Sequence, residues 1–263
     1  MANSSASGAV SSRLLRRGDH GGVRRVSWPH VQLSTDPAAF PTHPPADLSD
    51  PAVIAAHDQA AFDAVETMVD HWDRPGWTAQ TRAYYWMLTF PGTPALADLA
   101  LRCQQHLARL GLDPVPDDGL HITLTRVGSA AALPLSRLDD VISAAAPLLP
   151  AAFRLRAVPL AGSRGAVRLT VAPWGPVLAL HSALSESMAS LGLAPRKPTA
   201  LFRPHLSLAY NNRPRPAAPV IEAVTPLRGL APVDLHVQEV QLVELRREDR
   251  AYRWNVLKSL PLG

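Results

Sequence analysis

Two short stretches of this chain carry side chains suited to moving protons beside an anion. Leu120-His121-Ile122-Thr123-Leu124 and Phe202-Arg203-Pro204-His205-Leu206-Ser207-Leu208-Ala209-Tyr210 each set a histidine two residues before a hydroxyl. Both read as strands, in which successive side chains point to opposite faces. His121 and Thr123 therefore share one face, as do His205 and Ser207. Ile122, Leu124, Leu206 and Leu208 turn the other way, toward a core. Brought together, two such strands surround one small anionic group with two imidazoles and two hydroxyls. Histidine titrates near neutral pH, so one ring can accept a proton while the other gives one. Neighbouring imidazoles oppose double protonation and a bound anion favours the first proton, so the pair tends to hold one. Thr123 and Ser207 can donate hydrogen bonds to the oxygens of such an anion, which matters most as charge builds in a transition state.

The elements that must position these strands occur twice, in the same order. Ala83 to Phe90 is an aromatic strand, Pro91-Gly92-Thr93 a turn, and Pro94 the start of a helix whose stripe is Leu96, Leu99, Ala100, Cys103, Leu107 and Leu110. Gly111 ends it. Ala166 to Ala172, Pro173-Trp174-Gly175, a helix from Pro176 with the stripe Val177, Leu180, Leu184, Met188 and Leu191, and then Gly192 repeat the series. Leu110-Gly111-Leu112-Asp113-Pro114 answers Leu191-Gly192-Leu193-Ala194-Pro195, and each copy runs on to its His-x-hydroxyl strand. Between the copies, Ser136 to Leu149 reads as a helix, and Phe153 to Leu160 pairs with Ala166 to Ala172 across residues 161–165. After the second motif, Ala218 to Leu230 reads as a helix. Val233 to Val237, Val240 to Leu245 and Tyr252 to Leu257 read as strands that add to sheets already present. The predicted fold is α+β: two pseudo-symmetric lobes, each an antiparallel sheet with helices on its outer face, flanking a central cleft.

The chain has 263 residues, 47% of them hydrophobic, enough for a substantial core. Residues 1–50, rich in Ser, Gly, Pro and Arg, read as a disordered or loosely ordered basic tail, and 51–263 as a single bilobal domain. A first helix is predicted from Pro51 to Trp72. The net charge of +4 owes much to Arg13, Arg16, Arg17, Arg24 and Arg25, so the body is near neutral and lacks the basic face of a dedicated DNA-binding domain. The single cysteine, Cys103, excludes an internal disulfide and a cysteine zinc site, and its place on a helix stripe makes it a buried thiol. There is no apolar run of membrane-spanning length and no secretory leader, so the expected location is the cytoplasm. The expected state is a monomer.

The twin motifs resemble those of the 2H phosphoesterase superfamily, whose signature is two His-x-Ser/Thr strands flanked by apolar residues. The resemblance is strongest to the 2′-5′ RNA ligase and 2′,3′-cyclic phosphodiesterase branch, where Arg-Pro often precedes the second motif, as Arg203-Pro204 does here, and a glycine closes the first, as Gly128 does. It covers roughly residues 80–260. That branch usually has an aromatic residue where Arg126 stands and often an arginine where Tyr210 stands. The resemblance implies a metal-independent, cofactor-free phosphoesterase acting on RNA ends or small cyclic nucleotides, with His121, Thr123, His205 and Ser207 catalytic. By analogy His205 is the base and His121 the acid in hydrolysis, with roles exchanged in ligation.

Arg203 shares the strand parity of His205 and is a candidate phosphate contact; Tyr210 is a candidate base-stacking ring at the cleft rim. Arg126 has the opposite parity from His121 and faces away unless the strand bulges. His57, His71, His106 and His181 fall in predicted helices and read as structural, and Trp72, Trp77, Trp86 and Trp174 read as core. Three rival readings remain open on sequence. A zinc hydrolase would need a third ligand that neither motif brings. A non-catalytic module could hold an RNA end in the same cleft. A 3′-exonuclease would share the same chemistry. No Gly-x-x-x-x-Gly-Lys-Ser/Thr loop is present, which argues against ATP dependence.

Overall fold

A computed structural model describes residues 31–263. The part of the expected tail before residue 31 lies outside them, whereas residues 31–50 depart from it. They form an ordered strap across the body. The Ser34 amide donates to the Ala200 carbonyl at 2.9 Å, and the Trp174 amide donates to the Leu48 carbonyl at 2.8 Å. The cause lies in the body: buried guanidiniums there must find acceptors, and the strap's carbonyls supply them.

Helix α1 (Pro51–Asp63) starts after Asp50, whose carboxylate accepts the Ala52 amide, with proline at the first helical position. It stops at Asp63, short of the predicted Trp72. Beyond it, β1 (Thr67–Met68) pairs with Arg215–Pro216, Met68 is fully buried, and the His71 amide donates to the Asn211 carbonyl. The alternating Val65, Thr67 and Val69 suit this extended path, and tertiary pairing overrides the helical spacing.

The chain continues through β2 (Ala83–Thr89), α2 (Pro94–Leu107), β3 (Asp113–Pro114), β4 (His121–Ser129) and α3 (Ser136–Ala145). Next come β5 (Phe153–Ser163), β6 (Ala166–Ala172), α4 (Trp174–Ser190), β7 (Leu206–Tyr210) and β8 (Arg215–Pro216). The last elements are α5 (Ala218–Val224), β9 (Val233–Val237), β10 (Glu239–Glu248) and β11 (Ala251–Pro261). Gly111 and Gly192 take left-handed φ angles of 60° and 74°, ending the two helices of the repeat as predicted. β5 and β6 run closer together than expected, leaving only Arg164 and Gly165 between them.

The strands form two main antiparallel sheets, a four-stranded one ordered β11-β10-β2-β4 and a five-stranded one ordered β3-β7-β6-β5-β9. Each His-x-hydroxyl motif sits in a different sheet. The repeat is not two self-contained halves, because its helices change sides. α2 leaves the four-stranded sheet but packs on β7, β9 and α5; α4 leaves the five-stranded sheet but packs on β4 and α3. Gln104 of α2 fixes this exchange, its Nε2 donating to the Val115 and Leu208 carbonyls at 2.7 and 2.9 Å. Buried Leu96, Leu99, Ala100, Cys103 and Leu107 supply the apolar stripe. On β2, Tyr84, Trp86 and Leu88 join the main core, while Ala83, Tyr85 and Met87 join Val243 and Leu245 in a second, smaller cluster.

Candidate active site

His121 opens β4, and His205 stands one residue before β7. Together with Thr123 and Ser207 they line one cleft of about 570 Å3. A smaller hollow of about 230 Å3 adjoins it and shares His71, Arg74, Ser163, His205 and Ser207. Ile122, Leu206 and Leu208 point the other way and are buried in the main core; Leu124, at a register shift of the β2–β4 ladder, is buried in that core and also borders the cleft. Strand alternation thus places the polar pair of each motif at the cleft and its apolar partners behind.

The two imidazoles are held alike. His121 Nδ1 lies 2.7 Å from the Gly119 carbonyl and His205 Nδ1 lies 2.9 Å from the Arg203 carbonyl. A carbonyl only accepts, so Nδ1 carries the proton and the lone pair falls on Nε2 of each ring. Burial lowers the pKa of His121, and the Gly119 carbonyl opposes that shift. For His205, burial and then the Arg168 guanidinium lower it to about 3, with lesser contributions from His121 and Arg74, against the Arg203 carbonyl. In the empty cleft both rings are therefore neutral at neutral pH.

The β2–β4 ladder shifts register twice, between Tyr84 and Tyr85 and between Trp86 and Met87. The second of these, at Leu124, lies between His121 and Arg126 and reverses the parity expected for Arg126, which pairs with Tyr85 and lines the cleft.

The sequence-predicted binding residues have other occupations. Arg203 is 4% exposed, and its guanidinium donates to the carbonyls of Ser34, Pro41, Thr42, Ala200 and Phe202. It borders the cleft, but its donors fasten the strap. Tyr210 is also 4% exposed, not a rim residue. Its ring stacks on His71 with centroids 4.0 Å apart, and Trp72 and Tyr252 pack edge-on against it. Burial, chiefly, raises its phenol well above the ordinary range.

Several cleft residues escaped the sequence reading, among them His71, Trp77 and Arg168. His71 lies in the extended segment after α1, its Nε2 2.9 Å from the Tyr252 hydroxyl and its pKa lowered by burial and by Arg74 to about 2. The alternation of Val65, Thr67 and Val69 signals that it is not helical. Trp77 packs against the smaller apolar cluster, as expected, and also lines the cleft, with Arg247 4.5 Å above its ring. Arg168 lies across from Ser207 in the β6–β7 ladder and is buried, donating to the Gly162 and Phe40 carbonyls. A lone charge inside the apolar strand Ala166–Ala172 was its signal. His181, by contrast, packs away from the cleft, stacked on Phe202 with Nδ1 2.9 Å from the Thr199 hydroxyl. Among the described residues no three His, Cys, Asp or Glu side chains converge as a metal site, and no helix is long and apolar enough to cross a membrane.

Two antiparallel sheets that each present one His-x-hydroxyl strand to a shared cleft define a two-histidine phosphoesterase class. The chain belongs to the 2′-5′ RNA ligase superfamily, whose family model matches residues 91–249, more than half its length. Its fold is that of Escherichia coli LigT solved with NADP+ (18% identity, TM-score 0.51, covering 70% of this chain and 98% of that one). A protein solved as a phosphoesterase is equally similar (19%, TM-score 0.51, 70% and 99%). The Thermus thermophilus protein TT0787 is close behind (19%, TM-score 0.50, 68% and 97%). No curated relative matches the chain.

Proposed function

We propose that the protein is a metal-independent phosphoesterase of RNA-type phosphodiesters, hydrolysing 2′,3′-cyclic phosphate ends by general acid–base catalysis. The observation that carries this reading is the matched pair of imidazoles, each anchored through Nδ1, on one cleft with Thr123 and Ser207. His205 is the stronger candidate for base, because Arg168 beside it adds to burial in keeping it neutral. It takes a proton from water as the water oxygen attacks phosphorus. The bond from phosphorus to one ribose oxygen breaks, and His121 protonates that oxygen. The proton on His121 arrives with the anionic substrate, whose charge opposes the desolvation that keeps the ring neutral in the empty cleft. Thr123 and Ser207 donate to the non-bridging oxygens. With a ribose 5′-hydroxyl in place of water as the attacking group, and the 3′ oxygen leaving and taking its proton, the same kind of step would join a 2′-5′ linkage. The similar LigT has been solved with 3′-AMP, which supports a nucleotide-sized ligand.

The test is turnover of 2′,3′-cyclic nucleotides by the purified protein in the presence of chelator, with His121→Ala and His205→Ala as controls. Loss of turnover on chelation, restored by zinc, would overturn the metal-independent scheme. Binding without turnover by the unmodified protein would make it an RNA-end-binding module.

A further inference from the structure

The larger cleft is lined by six cationic side chains, Arg74, Arg126, Arg168, Arg196, Lys197 and Arg203, and, among the described residues, by no carboxylate. Most of these charges are already engaged. Arg203 and Arg168 hold backbone carbonyls. Lys197 faces Asp36 at 3.5 Å, and Arg74 lies 3.4 Å from His71 Nδ1. Arg126 and Arg196 make no hydrogen bond or ion pair with any described residue, and the Arg126 Nε is enclosed without an acceptor. Both line the cleft together with Tyr85: Arg126 lies across the ladder from it, and the charge of Arg196 is among those that bear on its phenol.

This place is distinct from the histidine end. His121 pairs with Thr89 and Arg126 with Tyr85, so the two positions are separated by four residues of β2, roughly 13 Å along the strand. One nucleoside, met by side chains at both ends, bridges such a gap. The histidine end already provides for a single phosphodiester charge through Thr123 and Ser207, with the charges of Arg74 and Arg168 near His205. Arg126, its Nε enclosed without an acceptor, and the exposed Arg196 on the same cleft, neither with a counter-charge, focus a positive field there.

We infer that Arg126 and Arg196 form a second anion subsite, and that the substrate carries another phosphate one nucleoside away from the reacting one. This rests on the proposed function and names its substrate class: a 5′-phosphorylated nucleotide, or an RNA 3′ end, bearing the cyclic phosphate.

Calorimetric titration of the full chain with adenosine 3′-monophosphate and adenosine 3′,5′-bisphosphate tests it. The bisphosphate should bind about tenfold tighter, the worth of one charge-assisted guanidinium–phosphate contact. The Arg126→Gln/Arg196→Gln double variant should bind both alike, with unchanged affinity for the monophosphate. Equal binding by the parent protein, or a preference that survives in the double variant, overturns the subsite. If the double variant misfolds, Arg196→Gln alone, at an exposed position, must still reduce the preference. A 3′-phosphorylated dinucleotide that matches the bisphosphate identifies an RNA end; one that does not identifies a mononucleotide. Turnover of the cyclic nucleotide is scored separately. Preference without turnover removes the catalytic reading and keeps the subsite; turnover without preference does the reverse.

Discussion

His121 and His205 belong to different sheets, yet each is steered by the same bond, from its Nδ1 to the carbonyl two residues upstream. The local geometry of each motif therefore repeats, not only its residue types. Replacing either ring by alanine should lower kcat by about 10²–10⁴-fold, the range for a lost general acid or base, with the melting temperature nearly unchanged. A drop in kcat that tracks loss of fold would remove both from the catalytic machinery.

The pH dependence carries a sign. A base must start deprotonated, and the lowered pKa of His205, about 3, puts the acid limb of kcat/KM far below the usual histidine range. The acid must start protonated, and the lowered pKa of His121 draws the alkaline limb down as well. Bound phosphate raises both. The kcat profile should therefore lie at higher pH than that of kcat/KM, and Arg168→Gln should move the acid limb of kcat/KM upward. Superimposed profiles would contradict this electrostatic account.

Acid stability follows from three buried histidines, His71, His205 and His181, with pKa values lowered to about 2, 3 and 4. Their unfolded values lie near 6.5, so between those limits the unfolded chain binds more protons and stability falls as pH falls. Each contributes about 1.4 kcal/mol per pH unit within its window. Thermal melts should show stability declining from about pH 6.5 downward, before carboxylates begin to titrate. A flat melting temperature from pH 7 to 5 would show that these rings are solvated.

Arg203→Lys separates its two readings. A lysine cannot reach five carbonyls, so limited proteolysis should open the strap between residues 34 and 42, with stability reduced by about 1–3 kcal/mol. A raised KM with the strap still protected would restore the phosphate contact suggested by the sequence.

Gly162 admits the ring of Phe62 against β5: a Cβ there would sit 2.5 Å from the ring. Gly162→Ala should cost about 1–3 kcal/mol through forced repacking of α1, read by chemical denaturation.

The residues that could be read in advance are those whose structure follows from local rules. Alternation assigned the faces of His121, Thr123, His205 and Ser207, and the glycines at 111 and 192 marked helix ends because a left-handed turn is costly for other residues. What could not be read depends on contacts far apart in the chain. Arg126 reaches the cleft only because β4 bulges against β2, and Tyr210 is covered only because a segment after α1 lays His71 over it. The strap is ordered by Arg168 and Arg203, which lie far along the sequence from it. The order of elements also says nothing about which sheet a helix covers.

That exchange of helices has a further consequence. A fragment ending before β5 would carry α2 without the β7 and β9 surface it packs on, and a fragment starting there would leave α4 without β4. Neither piece is a viable ancestor or a separable module in its present form. The molecule is committed to acquiring its native state as one cooperative unit, and fragments cut at this boundary should recover structure only when mixed.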